Sequence, residues 1–507
     1  MRTSLWAAVE ERADATPDAE MLVDELGRRM TFRQYRDAAE ETAAGLAALG
    51  VGEGTRVTWQ LPTWIKSVVL VAALARLGAV QNPVMPSYRE RELAFVTRQT
   101  KARLLIVPPV WHGFDHTALA RAVAARQDGL QILVVDGALP KGDPETLPPA
   151  PESTGVRWHF YTSGTTSEPK GARHTDATVM AAGYGMAERL EARGDDRAAM
   201  VFPFAHIGGC TTWLTTCLAS GLTMILTEAF DPVATVEQLG REGVTLAGAG
   251  TVFQLAYLAA QRRTPDKPVF PAIRYGLAGA APKPPTLHAQ FKAEMGGAGV
   301  VSGWGLTEAP ILTMSSPHDP DVVLARCEGR PTAGVRLRVV RADGTAAGVG
   351  EEGELRAKGP QVMLGYLDAA LDAEAFDAEG WLRTGDLGRL DEHGNVTITG
   401  RLKDVIIRKG ETISAKEIED LLAEHPDVAE VSVVGLPDPA TGERACAVVV
   451  PADPAAPPSL RDLTDYLRGR GLMPQKLPEQ AESVAVLPRN PAGKVIKTEL
   501  RDRFTPH

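Results

Sequence analysis

Residues 161–176 read YTSGTTSEPKGARHTD, with hydroxyl side chains and a glycine crowding positions 162–166 and a proline, a lysine and a second glycine at 169–171. Thr162, Ser163, Gly164, Thr165 and Thr166 together offer hydroxyls and backbone N–H groups, and their small size lets a polyphosphate approach the main chain. Lys170 adds a mobile point charge suited to a phosphate oxygen, while Pro169 and Gly171 shape the chain around it. The spacing is not the Walker pattern G-x-x-x-x-G-K-[ST], because Gly164 lies six positions before Lys170 and a glycine follows the lysine. On these residues alone, a phosphate cradle and a hydroxyl-rich surface turn both remain open.

The chain has 507 residues, 44% of them hydrophobic, which is too long for one core and predicts two or more domains. A formal net charge of −10 argues against a general affinity for nucleic acid or an anionic membrane, so any phosphate site must be locally basic. The opening MRTSLWAAVEERADATPDAE is interrupted by Glu10, Glu11 and Arg12 before a secretory apolar core develops, and no export signal is expected. The best apolar run, SVVLVAALA from Ser67 to Ala75, is bounded by Lys66 and Arg76 and falls short of the ~20 residues that span a bilayer. It predicts a buried helix. Cys210, Cys217, Cys327 and Cys446 form no C-x-x-C pair and have no matching histidine cluster, so reduced thiols in a cytoplasmic protein are expected.

Outward from the opening stretch, the patterns before residue 140 alternate between helical FRQYRDAAEETAAGLAALG and short apolar RLLIVPP and LQILVVDG, the rhythm of a parallel sheet with helices. LPKGDPETLPPAPESTG, 139–155, reads as an exposed connection. The rhythm returns through GLTMILTEAF, VTLAGAGTVFQLAYLAA and IRYGLAGAAP, predicting a second parallel layer packed on the first. From about 330 to 400 the alternation of VRLRVV and GELRAKG predicts antiparallel strands in a small barrel or sheet. Beyond GRLKDVIIRKG, Ser414 and Glu417 suggest a capping box ahead of Ile418, Leu421 and Leu422, and Pro426 closes that helix. The fold class expected is therefore α/β. A large N-terminal domain, 1–401, would hold the two layers and the β-rich part, and a small α+β domain, 404–507, would follow a hinge at 402–404.

The loop belongs to an ordered series: FPFAHIGG at Phe202, AGAAP at Ala278, WGLTE at Trp304, GWLRTGDLG at Gly380, GRLKDVIIRKGETISAKEIE at Gly400 and LPRNPAGKVIK at Leu487. Taken jointly, these segments resemble, across nearly the whole chain, the adenylate-forming superfamily of acyl-CoA synthetases, luciferases and peptide-synthetase adenylation domains. The resemblance implies attack of a carboxylate on the α-phosphorus of ATP with loss of pyrophosphate, then transfer of the acyl group to the thiol of CoA. It assigns Trp304 to stacking on adenine, Thr307 to the α-phosphate, Glu308 to Mg²⁺, Asp386 to the ribose and Arg401 to ribose or phosphate. Ala280, Ala281, Ser302 and Gly303 join the nucleotide site, and Lys494 bridges carboxylate and α-phosphate. Each role is physically admissible: an indole is a broad stacking surface, a carboxylate beside phosphates is the usual Mg²⁺ arrangement, and an arginine fork suits either partner. Out of context, Trp304 reads as a core aromatic, Asp386 as a turn aspartate, and Arg401 and Lys494 as solvated charges.

The same resemblance places His206 near the acyl carboxylate, with Ile207, Gly209, Cys210, Trp213 and Gly279 lining or bordering the acyl pocket. A half-buried histidine at a helix start is the plainer alternative. Amino-acid-activating relatives start this region with an aspartate that pairs the α-ammonium group; FAHIGG has none, which disfavours a free amino acid as substrate. VQNPVMPSYRERELAFV and VWHGFDH are most similar to ligases for alicyclic acids of the cyclohexanecarboxylate type. Lys494 lies in the last small domain, so a rotation about Lys403 is implied, which would withdraw Lys494 and bring the strand at Gly410 to a CoA tunnel; a glycine there also reads as a simple turn. Ser167 and Lys409 stand where the family usually has glycine, which bears on loop geometry and tunnel width. The rival functions are a stand-alone adenylating enzyme that loads a carrier protein and a non-catalytic nucleotide-binding regulator. The expected partners are a small carboxylic acid, ATP and CoA, with no nucleic acid or membrane, for a monomer or homodimer.

Overall fold

The chain is described here by a computed structural model covering residues 4–505, apart from 153, 163–168, 249, 280–282, 409–410, 439–441 and 491–492. Its first sheet is built from the β-α rhythm of the N-terminal third. The strands Arg56–Trp59, Val80–Pro83, Leu104–Val107 and Gln131–Val134 run parallel, and Trp158–Thr162 joins parallel to Val80–Pro83. Lys170–His174 closes one edge antiparallel. The helix Phe32–Ala48 starts at a capping box in which Thr31 accepts from the Gln34 backbone N–H and the Gln34 side chain caps Thr31 in return. SVVLVAALA lies inside the helix Ile65–Arg76, and its residues from Ser67 to Leu74 are all buried, as its unbroken apolar character requires. Among the described residues no helix is long and apolar enough to cross a membrane.

The second sheet is larger and holds one exchange that the periodicity did not indicate. Arg197–Met200, Thr223–Leu226, Leu246–Ala247, Tyr275–Ala278 and Val300–Leu306 form its parallel centre. Glu20–Asp24, from the N-terminal stretch, pairs parallel with Thr223–Leu226 rather than with the first sheet. A short apolar run such as Met21–Val23 fits the interior of either layer, so its pattern cannot say which. The two sheets share one core, in which Val57 and Trp59 from the first are continuous with Met200, Met224 and Leu246 from the second.

Arg336–Val340, Gly353–Lys358, Leu382–Leu390 and Val396–Arg401 make the antiparallel sheet expected after residue 330, with Arg336 opposite Lys358. Its core also contains Ala172, Trp304 and Tyr366, which draws the Lys170 strand and the WGLTE segment against it. Past a short 3-10 turn at Leu402–Asp404, the strands Val405–Arg408, Glu411–Ser414, Val428–Asp438, Gly442–Pro451 and Gln480–Ser483 form a last sheet. Its core is its own, gathered around Ile406, Ile418, Val433, Leu463 and Leu467. Only half of the expected capping box forms: Ser414 accepts from the Glu417 N–H, but the Glu417 carboxylate turns away to pair with Lys476 at 2.6 Å. The Ser414 hydroxyl donates to the Thr399 carbonyl at 2.7 Å, tying this helix start back across the turn.

Candidate functional site

The opening stretch is a hairpin. Lys170 stands directly opposite Thr162, and the residues between them form its connection; Ser163, Gly164, Thr165, Thr166 and Ser167 themselves lie outside the described residues. Gly171 lets the chain pass closely: a Cβ there would come within 2.7 Å of Leu367 and 3.0 Å of the Tyr161 ring. Through that gap residues 364–367 dock on the hairpin, with the Leu367 N–H donating to the Gly171 carbonyl at 2.7 Å and Tyr366 bridging to Ala172. The Lys170 ammonium consequently sits 5.6 Å from the centre of the Tyr366 ring.

Thr307 and Glu308 form the turn between Val300–Leu306 and Ala309–Met314. The Tyr366 hydroxyl donates to Glu308 Oε1 at 2.6 Å, and the Glu308 carbonyl accepts from the Met363 N–H at 2.8 Å. The Thr307 carbonyl accepts from His174 Nε2 at 2.9 Å; burial drives the His174 pKa down to about 4, so the ring donates as a neutral group. Lys170, Thr307 and Glu308 are thus brought to one place, by Tyr366 and His174, neither of which the sequence reading singled out. A lone tyrosine in VMLGYLD has no spacing rule to mark it. Nearby, Gly305 and Ile311 face each other in a register shift; Ile311 has φ +47°, a left-handed conformation rare for a β-branched residue, so this hairpin is strained beside its polar turn.

A cleft of ≈ 300 Å³ opens on the other side of Trp304, lined by Gly279, Gly303, Trp304, Asp386, Arg401 and Lys494 among others. The Trp304 indole N–H donates to Asp386 Oδ2 at 2.7 Å, and the Arg401 guanidinium pairs with Asp386 Oδ1 at 2.7 Å from the neighbouring strand, where the two residues are register partners. Ser302 departs from its expected place. Its hydroxyl is fully buried, accepting from Lys283 Nζ at 2.7 Å and donating to the Cys327 carbonyl, so it faces away from the cleft. Lys283, also unmarked by the sequence reading, is a buried cation that donates as well to the carbonyls of Leu324 and Cys327, fixing the strand that carries Gly303 and Trp304. Ala280 and Ala281 lie outside the described residues, as does Gly410.

Lys494 reaches the cleft from a tight loop in which its N–H donates to Asn490 Oδ1 at 2.9 Å and its carbonyl accepts from the Asn490 N–H. The preceding Gly493 has φ +80°, and a Cβ on it would lie 2.5 Å from Val252 of the helix Thr251–Arg263. Burial, with Arg401 and Lys403 as like charges, lowers the Lys494 pKa to about 8, against the opposing pull of Asp386 and Asp404. Lys403 sits in the 3-10 turn between the two sheets, and its own pKa is lowered, chiefly by burial.

His206 and its neighbours form a second, separate group. His206 precedes the π-helical turn Gly208–Trp213, its Nδ1 accepts from the Gly208 N–H at 3.1 Å, and its ring meets Phe202 edge-on at 6.0 Å. The proton therefore resides on Nε2, and burial holds the pKa down at about 4. Trp213 lies against Gly248, where a Cβ would come 3.1 Å from its ring. Ile207 and Gly209 are buried beside it, and the Cys210 thiol points onto the carbonyls of Ala205 and His206. Among the described residues no group of three or more His, Cys, Asp or Glu could hold a metal ion by itself.

Two parallel layers, a hairpin loop at a sheet edge and an ammonium delivered from a separate last sheet define an adenylate-forming architecture. The AMP-binding enzyme family matches residues 9–367, and the AMP-binding enzyme C-terminal domain matches 417–494. The chain belongs to this family, in its acyl-CoA ligase branch. It is 31% identical to the medium-chain fatty-acid–CoA ligase of Escherichia coli over 97% of this chain and 89% of that one. It is 34% identical to the salicyl-AMP ligase / salicyl-S-ArCP synthetase of Mycobacterium tuberculosis over 92% and 84%. Among solved structures, ATP-bound MatB from Rhodopseudomonas palustris superposes with a TM-score of 0.90 at 26% identity over 99% of each chain, whereas apo MatB gives 0.79.

Proposed function

We propose that this chain activates a carboxylic acid without an α-ammonium group as its acyl-adenylate and passes the acyl group to the thiol of CoA. The observation that carries the reading is Lys494, held from the last sheet in one cleft with Trp304, Asp386 and Arg401. In the first step an oxygen of the acid attacks the α-phosphorus of ATP, and pyrophosphate leaves. Lys494 supplies a positive charge where negative charge accumulates, Lys170 and the hydroxyls of 162–166 hold phosphate oxygens, and Thr307 donates to the α-phosphate. In the second step the CoA sulfur, as thiolate, attacks the acyl carbon and AMP leaves with its oxygen.

Glu308 fits a Mg²⁺ ion carried by the nucleotide: Tyr366 occupies only Oε1, leaving Oε2 as a hard oxygen donor, and phosphates complete such a shell. The ion, when bound, would neutralise phosphate charge. Residues beyond 404 are proposed to move as one body about Lys403, so that Lys494 serves the first step and the strand at Gly410 the second. The higher similarity to ATP-bound than to apo MatB supports reading this orientation as the adenylating one.

At the acid end, a neutral His206 that donates through Nε2 suits a carboxylate oxygen, and the apolar surroundings of Phe202 and Trp213 suit an uncharged acyl body, alicyclic or aromatic. Transfer to a carrier protein is the second reading, supported by the salicyl-S-ArCP synthetase relative. The test is acid-dependent pyrophosphate exchange across linear, alicyclic and aromatic acids, followed by CoA and candidate carriers as acceptors. Exchange with at least one ring acid is expected; silence with every acid would overturn the proposal.

A further inference from the structure

We infer that Trp304 is a positioning residue for the ribose anchor, and that its indole N–H makes this enzyme selective for a nucleotide with both ribose hydroxyls. The inference rests on the adenylation reading above. Asp386 is 3% exposed, and its carboxylate is held on both oxygens by different donors: Oδ2 by the Trp304 Nε1–H and Oδ1 by Arg401, each at 2.7 Å.

An aspartate carboxylate turns easily about its last torsion, because that torsion has a broad profile. One donor would leave the plane free to swing; two donors on opposite oxygens fix it. The indole cannot follow the carboxylate, since Trp304 is packed in a core with Ala172, Leu312, Met363 and Tyr366. Arg401 by contrast is a third exposed and its long side chain has rotamer freedom. The rigid member of the pair is therefore the tryptophan.

Acceptor counting then gives the ligand chemistry. A carboxylate has about four lone-pair sites, and Trp304 and Arg401 take one on each oxygen. One site per oxygen remains, on a group that lines the cleft, which matches the two O–H donors of a vicinal diol. Trp304 would thus serve twice, as a face for the base and as the clamp that aims the diol acceptor.

The experiment measures kcat/KM for ATP, 2′-deoxyATP and 3′-deoxyATP in pyrophosphate exchange, in the wild type and in Trp304→Phe, which keeps an aromatic face and removes the N–H. The wild type should prefer ATP over each deoxy analogue by about tenfold, the scale of one hydrogen bond to a charged group. In Trp304→Phe the value for ATP should fall about tenfold while those for the analogues fall less than twofold, so that the preference collapses. A uniform loss across the three nucleotides would mean that Trp304 serves stacking or folding alone, and would overturn the inference. Trp304→Tyr, which also lacks the N–H, should repeat the collapse. If neither variant folds, the wild type still decides: equal use of ATP and both analogues would remove the two free acceptor sites. No exchange with any acid would instead sink the functional reading, which separates the two failures.

Discussion

The nucleotide side and the acid side of this protein are built on opposite plans. Around Asp386 the cleft is charged and assembled from four distant segments, with Trp304, Asp386, Arg401 and Lys494 each arriving on a different strand or loop. Around His206 the groups come from one short stretch, 202–213, the histidine has only burial acting on its pKa, and the neighbours belong to the main core. The first is completed only when the last sheet docks; the second exists within the large sheets whatever the last sheet does. Charge chemistry is thereby placed where it can be withdrawn between steps, and shape recognition where it cannot.

The hardest break in that contrast is Lys494→Ala. Loss of an oriented charge should lower pyrophosphate exchange by on the order of 10² or more, while thioester formation from supplied acyl-adenylate persists. Equal loss of both half-reactions would place Lys494 outside a movable assembly. The pH dependence separates the two sides next. With a pKa lowered to about 8, Lys494 is protonated below that value, so kcat/KM for ATP should be flat toward neutrality and fall about tenfold per unit above about 8. Lys494→Arg, whose guanidinium stays charged, should remove that alkaline limb. His206, held at about 4, should contribute no inflection between pH 5 and 7, and one that vanished in His206→Asn would contradict the neutral-donor role.

Two smaller changes sharpen the boundary. Gly493→Val places a Cβ where Val252 already stands and forces a β-branched residue into φ +80°, so the Lys494 loop should seat poorly. Exchange should drop about tenfold with transfer from acyl-adenylate spared, the mark of a lost pre-alignment. His206→Leu removes the Nε2 donor and should raise KM for the acid about fivefold, within the range of one hydrogen bond, and leave KM for ATP unchanged. A matching rise for ATP would mean that the two sides are coupled through the core.

Much of this division could be read from the residues in order, though unevenly. The layered architecture was visible because parallel strands and their helices leave local apolar periods, and the antiparallel sheet after 330 because alternation is also local. Assignment of Glu20–Asp24 to the second sheet was not, since strand partners are set by long-range packing. At the site, Trp304, Asp386, Arg401 and Lys494 could be marked by segments with a characteristic order. Tyr366 and Lys283 could not: each acts through a single contact to a residue tens of positions away, Glu308 and Ser302, and nothing in their own surroundings encodes it. Ser302 was misplaced for the converse reason, because its segment identifies the strand but not which face its side chain takes.

The smallest expected effect concerns stability rather than rate. The Lys494 pKa in the folded protein, about 8, lies below the ~10.4 of an unfolded lysine. For a base shifted in this direction the folded state holds its proton less tightly, so keeping the charge in the cleft opposes folding below about pH 8, and that opposition fades as pH rises from about 8 toward 10.4. Lys494→Met, similar in length and uncharged, should therefore raise the melting temperature by a few degrees at pH 7 and by less at pH 9.5. The acid side offers the control: at neutral pH His206 is already neutral, so His206→Asn should show no comparable gain that shrinks with pH. A Lys494→Met protein that melts lower at pH 7 would mean that Asp386 and Asp404 stabilise the ammonium more than burial and its cationic neighbours penalise it, and the cleft would then be a resting ion-pair site rather than one waiting for phosphate.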